Sequence, residues 1–228
     1  MKYFAIIAMM LLAACQPPQE ANYEPVPVAP PGSPQKPQDP VESPLSQEEQ
    51  DFFAKEQSEV ERIFLRLGYK ESLKKIPIIL TGKDEGEKWG VCVREDMTTP
   101  EGPYKEPQIR ISGKNMATDL KNKNVQSGRY MSITRITLLH VLGHCYFKKQ
   151  HNQKVLSGQN LRMVVDGISR KFVPQSAMNT EYDMTQMPKA LTQYYVGELM
   201  GRWRANNLNE LAVRVPGAKV VNDLQATE

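Results

Sequence analysis

This sequence predicts an α+β domain behind a proline-rich tether, on three observations. A run crowded with prolines separates an apolar N-terminal leader from the rest, short β-like runs in the body alternate with helical patterns, and one apolar helical segment is followed closely by the last of the chain's three histidines. The 228 residues carry 29 Lys and Arg against 26 Asp and Glu, a formal net charge of +3. With no dense basic block there is no electrostatic footprint for a phosphate backbone, so nucleic acid is not an expected partner. Beyond the leader no apolar run approaches the roughly 20 residues needed to cross a bilayer, so the body is not expected to span one.

The leader opens with one cationic residue, Lys2, and continues through a dozen apolar or small residues to Cys15. It is too short to span and reads as a signal peptide over 1–14. Its ending, Leu12-Ala13-Ala14-Cys15, resembles the lipobox of bacterial lipoproteins. That resemblance implies that Cys15 is lipidated and becomes the mature N-terminus, anchored to a membrane without spanning it. An ordinary secretory signal or an uncleaved anchor is the plainer alternative. Gln16, standing where Asp would signal retention, resembles the sorting pattern of outer-membrane lipoproteins, with the membrane face left open. Ten of the seventeen prolines lie in residues 16–44 with almost no large apolar group. Such composition favours extended polyproline II at about 3.1 Å per residue, so residues 15–45 read as a lipidated cysteine and its spacer.

The folded body is expected over 46–205. Ser46-Gln47-Glu48-Glu49 fits a capping box, and Phe52, Phe53, Val60, Ile63, Phe64 and Leu67 then recur at helical spacing, which predicts a first helix over about 47–67. Ile76–Leu80, Trp89–Arg94 and Gln108–Ser112 follow as three short β-like runs and suggest a small mixed sheet. Met131–Phe147 reads as the central helix, with Ser132 or Thr134 available as its cap. Leu161–Val165 and Ile168–Val173 flank Asp166-Gly167, a strong hairpin turn because both residues tolerate positive φ. Pro188 opens a closing helical pattern through Leu191, Tyr194, Tyr195, Leu199 and Trp203. Periodicity is lost after Arg204, and residues 206–228 read as a C-terminal tail.

The histidines are His140, His144 and His151, and there are no others. On a helix, positions i and i+4 share one face about 6 Å apart in rise, so His140 and His144 can direct ring nitrogens at one ion. His151 joins them only if the helix ends first, and the polar Lys148-Lys149-Gln150 offers a place to turn. Three imidazoles suit a tetrahedral Zn²⁺ with one open position. The plainer reading is three packed or surface histidines. Cysteine arithmetic adds a second feature: lipidation of Cys15 leaves Cys92 and Cys145 as an even pair in an oxidising compartment, read first as a disulfide and second as two buried thiols.

His140-Val141-Leu142-Gly143-His144-Cys145 with His151 resembles the His-Glu-Leu-Gly-His-Cys plus distal His signature of a group of bacterial metallopeptidase-type proteins of the zincin, metzincin-like kind, which are often lipoproteins. The resemblance extends to Gly90-Val91-Cys92, similar to that group's Gly-Tyr-Cys strand. It also takes in Ser176-Ala177-Met178-Asn179, similar to a Ser-Ile-Met-Asn segment, and a Tyr-Tyr-x-x-Glu-Leu pattern at Tyr194, Tyr195, Glu198 and Leu199. It covers about residues 60–200. It implies a zincin-like fold, zinc on the three histidines, Met178 beneath the metal as in a Met-turn, and a bridge between Cys92 and Cys145.

One departure bears directly on activity. In His-Glu-x-x-His enzymes the glutamate takes a proton from zinc-bound water and returns it to the leaving amine, and here that position is Val141. Valine transfers no proton, and loss of general acid/base catalysis removes about 10² to 10⁴ in rate. Asp166, Glu181, Asp183 and Glu198 are the carboxylates weighed as substitutes, and Tyr182, Tyr194 and Tyr195 as groups to stabilise an oxyanion. The leading expectation is a lipid-anchored, zinc-binding pseudoenzyme that holds a peptide or an envelope protein. An active metallopeptidase with a substitute base is the alternative, and a metal-free structural envelope lipoprotein is the third.

Overall fold

The Ser46 hydroxyl accepts the Glu49 N–H at 3.3 Å while the Glu49 carboxylate accepts the Ser46 N–H at 2.8 Å, and this reciprocal box starts α1 (Gln47–Arg66). The computed structural model describes residues 44–71, 73, 75–81, 89–93, 98–99, 102–103, 108–181 and 183–225. The leader, Cys15, almost all of the spacer, Tyr182 and residues 226–228 lie outside them. The described elements form a mixed α/β fold of the α+β class, with six helices and several small sheets.

The remaining elements follow in chain order: β1 (Ile78–Thr81), β2 (Gly90–Val93), β3 (Thr98–Thr99), β4 (Gly102–Pro103), β5 (Gln108–Ser112), α2 (Lys114–Lys121), α3 (Lys123–Gln126) and α4 (Ile133–Cys145). After them come β6 (Val155–Leu156), β7 (Leu161–Val165), β8 (Ile168–Arg170), β9 (Val173–Pro174), α5 (Leu191–Leu199), α6 (Leu208–Arg214) and β10 (Lys219–Asn222). The first sheet has the order β1-β5-β2 and is mixed, β1 running parallel to β5 and β2 antiparallel to it. Ile109 and Ile111 on its central strand are fully buried, and α4 packs across β2 and β5.

Position α4 is fixed by polar groups that its own apolar pattern does not advertise. Asp119 on α2 is completely buried, and its two carboxylate oxygens accept the N–H groups of Ile133 and Thr134, each at 2.9 Å, and the Thr134 hydroxyl at 2.7 Å. Those N–H groups are orphan donors of the first turn, so an anion from a neighbouring helix caps them, in addition to Ser132, which accepts from Arg135. Burial still raises the Asp119 carboxyl above its usual range, outweighing the hydrogen bonds from Thr134 and Ile133. In the same first turn, Arg135 is 1% exposed and makes a two-pronged pair with Glu56 of α1, at 2.7 and 3.1 Å. It also reaches Glu59, which is shared with Lys189. A buried guanidinium is tolerated only when so paired, and the pair locks α1 to α4.

The Asp166-Gly167 turn forms as expected, with φ 50° and 73°, and joins β7 to β8. Its second strand stops at Arg170 rather than running on to Val173. Val173 and Pro174 leave β7 and pair with β6, which buries both of them in the core. The segment read as a C-terminal tail contains structure. Asn207 caps α6, whose Leu208 and Leu211 are buried, and β10 pairs antiparallel with β7 to complete a second sheet of order β10-β7-β8. The polar stretch between the first sheet and α4 likewise holds α2 and α3. No described helix is long and apolar enough to cross a membrane.

Candidate metal centre

His140 and His144 lie one turn apart on α4, and the chain must reverse before His151 can face them. Lys148 supplies the reversal at φ 52°, with the Lys149 N–H closing onto the Gly143 carbonyl at 3.0 Å. The segment beyond is tied to the stretch before α5: the Asn152 N–H donates to the Met178 carbonyl, and Gln153 and Thr180 exchange two hydrogen bonds of 2.6 and 3.0 Å. His151 is therefore carried to the face of His140 and His144 by a pinned loop.

The Nε2 atom of His144 lies 3.2 Å from that of His140 and 3.1 Å from that of His151, and all three ligand atoms fall within 4.8 Å of one another. The Nδ1 of His140 is 3.1 Å from the Ala177 carbonyl oxygen, and the Nδ1 of His144 is 2.9 Å from that of Lys149. A carbonyl only accepts, so both rings carry their proton on Nδ1 and turn the Nε2 lone pair to the common centre. Burial holds His140 below its ordinary pKa, the neighbouring His144 and His151 add to that, and the Ala177 bond opposes it. Imidazoles whose Nε2 atoms converge are a place for a cation, and the three histidines are close enough to hold a metal ion.

Met178 is 1% exposed and packs against α4 between the two helical histidines, where a Cβ placed on Gly143 would stand 2.3 Å from its sulfur. Only glycine between the two helical histidines lets that methionine pack so close. The turn that carries Met178 is held from α5: the Ser176 hydroxyl donates to Glu198 at 2.8 Å and accepts the Met178 N–H at 3.1 Å. Cys92 on β2 and Cys145 at the end of α4 form a disulfide with a Cα–Cα distance of 5.6 Å. The bridge joins the edge strand to the residue after His144.

Val141 is 2% exposed and packs toward β2, where a Cβ on Gly90 would meet its Cγ2 at 3.1 Å. It lines a cleft of about 580 Å³ that opens over His140 and His151. The residues weighed as substitutes for a glutamate are placed as follows. Asp166 sits in the hairpin turn, where its carbonyl accepts from Arg129. Glu198 is buried behind Ser176, and burial raises its carboxyl above the usual range. Glu181 and Asp183 line the cleft, but Asp183 caps the following turn through the Thr185 N–H and hydroxyl.

Tyr194 and Tyr195 are fully buried, their hydroxyls donating to the carbonyls of Gln175 and Pro174, so they are core residues and not oxyanion donors. Burial pushes Tyr194 up to about 12. Two parts of the site have no side-chain signature in the sequence: the carbonyls of Ala177 and Lys149 that orient the rings.

Fold and site together define a mixed α/β domain with a three-histidine centre fit for a metal ion. In comparison with known proteins, the chain matches no family model, no curated protein and no solved structure.

Proposed function

We propose that the protein is a lipid-anchored, zincin-like domain of the bacterial cell envelope that holds Zn²⁺ on His140, His144 and His151 and binds a peptide or an envelope protein without cleaving it efficiently. The observation that carries this reading is the set of three Nε2 atoms, two with adjacent separations of 3.1 and 3.2 Å from His144, beside a cleft whose general-base position is Val141. Tetrahedral Zn–N bonds of about 2.0–2.1 Å place ligand nitrogens roughly 3.3–3.4 Å apart, close to these separations. Three imidazole ligands with an open fourth position favour zinc over hard, oxygen-loving ions.

Zinc in such a site would polarise a bound carbonyl and lower the pKa of a bound water. Val141 neither takes a proton from that water nor gives one to a leaving amine, so the residues present support holding a carbonyl ligand better than hydrolysing it. The lipobox-like ending at Cys15 supports an envelope location, and the Cys92–Cys145 disulfide suits an oxidising compartment.

The test is metal content and peptidase activity of the untagged chain, purified in detergent from an oxidising compartment, beside His144→Ala and Val141→Glu. About one zinc per chain, lost in His144→Ala, with peptide hydrolysis absent from the parent and gained in Val141→Glu, is the expected result. A parent chain without zinc, or one that hydrolyses peptides as fast as Val141→Glu, overturns the reading.

A further inference from the structure

The cleft over the histidines is one half of a longer groove. Its other half, a depression of about 440 Å³, is lined by Val91, Cys92, Lys148 and Lys149, and the two halves share Gly90, His140, Val141 and His151. The groove therefore follows β2 from Trp89 to Cys92, with the metal centre at its waist. Its ends differ in chemistry. At the Trp89 end the walls are apolar, from Trp89, Ile136 and Met184, and the carboxylates at hand are Glu181 and Asp183. At the Cys92 end the only charged side chains among the described lining residues are Lys148 and Lys149, beside the three histidines. Trp89 is 49% exposed, an aromatic face presented to solvent at one end of the groove.

We infer that the groove selects peptide segments with an apolar side chain at one end and an acidic side chain three residues away, the acidic one seated against Lys148 and Lys149. This rests on the reading of the site as a peptide-binding metal centre and adds the class of peptide. Four extended residues span about 10 Å from first to last, matching the length of β2. An acidic group at the Trp89 end meets Glu181 and Asp183 and is repelled, whereas at the other end it meets two ammonium groups, so charge fixes the direction as well as the preference. A metal ion at the waist adds further positive charge.

The experiment uses the full chain in detergent at low ionic strength, with zinc content measured on each sample. Fluorescence anisotropy follows labelled Leu-Gly-Gly-Asp and Asp-Gly-Gly-Leu peptides, capped at both ends so that the Asp side chain is the only carboxylate, each beside its Asn counterpart. The expected result is that at least one Asp peptide binds about fivefold or more tighter than its Asn counterpart, the range of one or two solvent-exposed ion pairs. Rising salt removes that preference, and so does the double variant Lys148→Gln, Lys149→Gln at unchanged zinc content.

Equal affinity of the Asp and Asn peptides, no binding of any of them, or a preference that survives in the double variant overturns the inference. The last outcome would place the carboxylate on the metal itself. Absence of zinc from the parent sample strikes the metal reading instead, and the lysine-dependent preference is then read on the same metal-free chain.

Discussion

The Nδ1 of His140 lies 3.1 Å from the carbonyl oxygen of Ala177, so the first ring of the candidate metal site is oriented by the backbone of a turn 37 residues further along the chain. That turn is in turn held by α5, through Glu198, the Ser176 hydroxyl and the Met178 N–H. Orientation of a ligand by its outer partner is worth about 10- to 100-fold in metal affinity.

Replacing Ser176 by Ala removes the link between Glu198 and the turn. The Glu198 carboxyl, buried and already raised above its usual range, loses its hydrogen-bond donor, and the Ala177 carbonyl loses part of its support. The expected outcome is about tenfold weaker zinc binding in competition with a chromophoric chelator, together with a stability loss of about 1–3 kcal/mol for the unsatisfied buried group. Unchanged zinc affinity with lowered stability would separate the turn from the metal site.

Gly143→Ala tests the contact between α4 and Met178. Alanine gains about 1 kcal/mol of helix propensity over glycine, but its Cβ would stand 2.3 Å from the Met178 sulfur and 3.0 Å from Leu199. Overpacking of a tight core costs about 1–3 kcal/mol, so the net change is destabilising by up to about 2 kcal/mol. A fall in melting temperature, with zinc affinity lowered as Met178 and the Ala177 carbonyl shift together, is the expected pair of readings. A more stable variant would show that Met178 simply swings aside.

The sequence marks the helix faces and hides their supports. The Ser46–Glu49 box, the five residues of Gln108–Ser112 and the turn at Asp166-Gly167 form where their local chemistry predicts, because caps, alternation and positive φ are local properties. His140 and His144 meet because four residues is one helical turn, and Lys148 turns the chain for His151. By contrast, nothing local to the apolar helix announces that Arg135 is buried, because Glu56, which pairs with it, lies 79 residues earlier. The ordered part of residues 206–228 escapes notice for the same reason. Seven residues in α6 and four in β10 are too short for a periodic signal, and what orders them is packing on β7. The carbonyls of Ala177 and Lys149 belong to residues of any type, so no side chain announces them.

The Cys92–Cys145 bridge closes a loop with a sequence separation of 53, for which chain entropy gives a stabilisation of about 4 kcal/mol. Reduction, or the double variant Cys92→Ser, Cys145→Ser, is expected to lower the urea midpoint accordingly. Because Cys145 follows His144 and Cys92 lies on the groove's edge strand, the same change is expected to weaken zinc binding and peptide binding together. Loss of stability with neither binding function altered would make the bridge a staple for the fold alone.

Glu59 gives the fold a signature in acid. Partial burial pushes its carboxyl up, but hydrogen bonds and charge from Lys189 and Arg135 outweigh that and hold it at about 2, below the ordinary 4.5. The sign follows from linkage. Below pH 4.5 the unfolded chain takes up a proton at this position while the folded chain stays ionised, so the contribution is complete above 4.5 and disappears as pH falls towards 2. Unfolding of the parent between these limits is therefore accompanied by uptake of up to about one proton at Glu59, and stability falls with acidification across that window. Glu59→Gln removes this proton from the balance and is less stable at neutral pH, since of the carboxylates paired with Arg135 among the described residues Glu56 alone remains and Lys189 loses its charged partner. Comparing the pH dependence of urea unfolding for the two chains checks this: a difference between them that shrinks from pH 5 to pH 2 is expected, and a difference constant across the range would mean that the Glu59 charge contributes nothing to the α1–α4 junction.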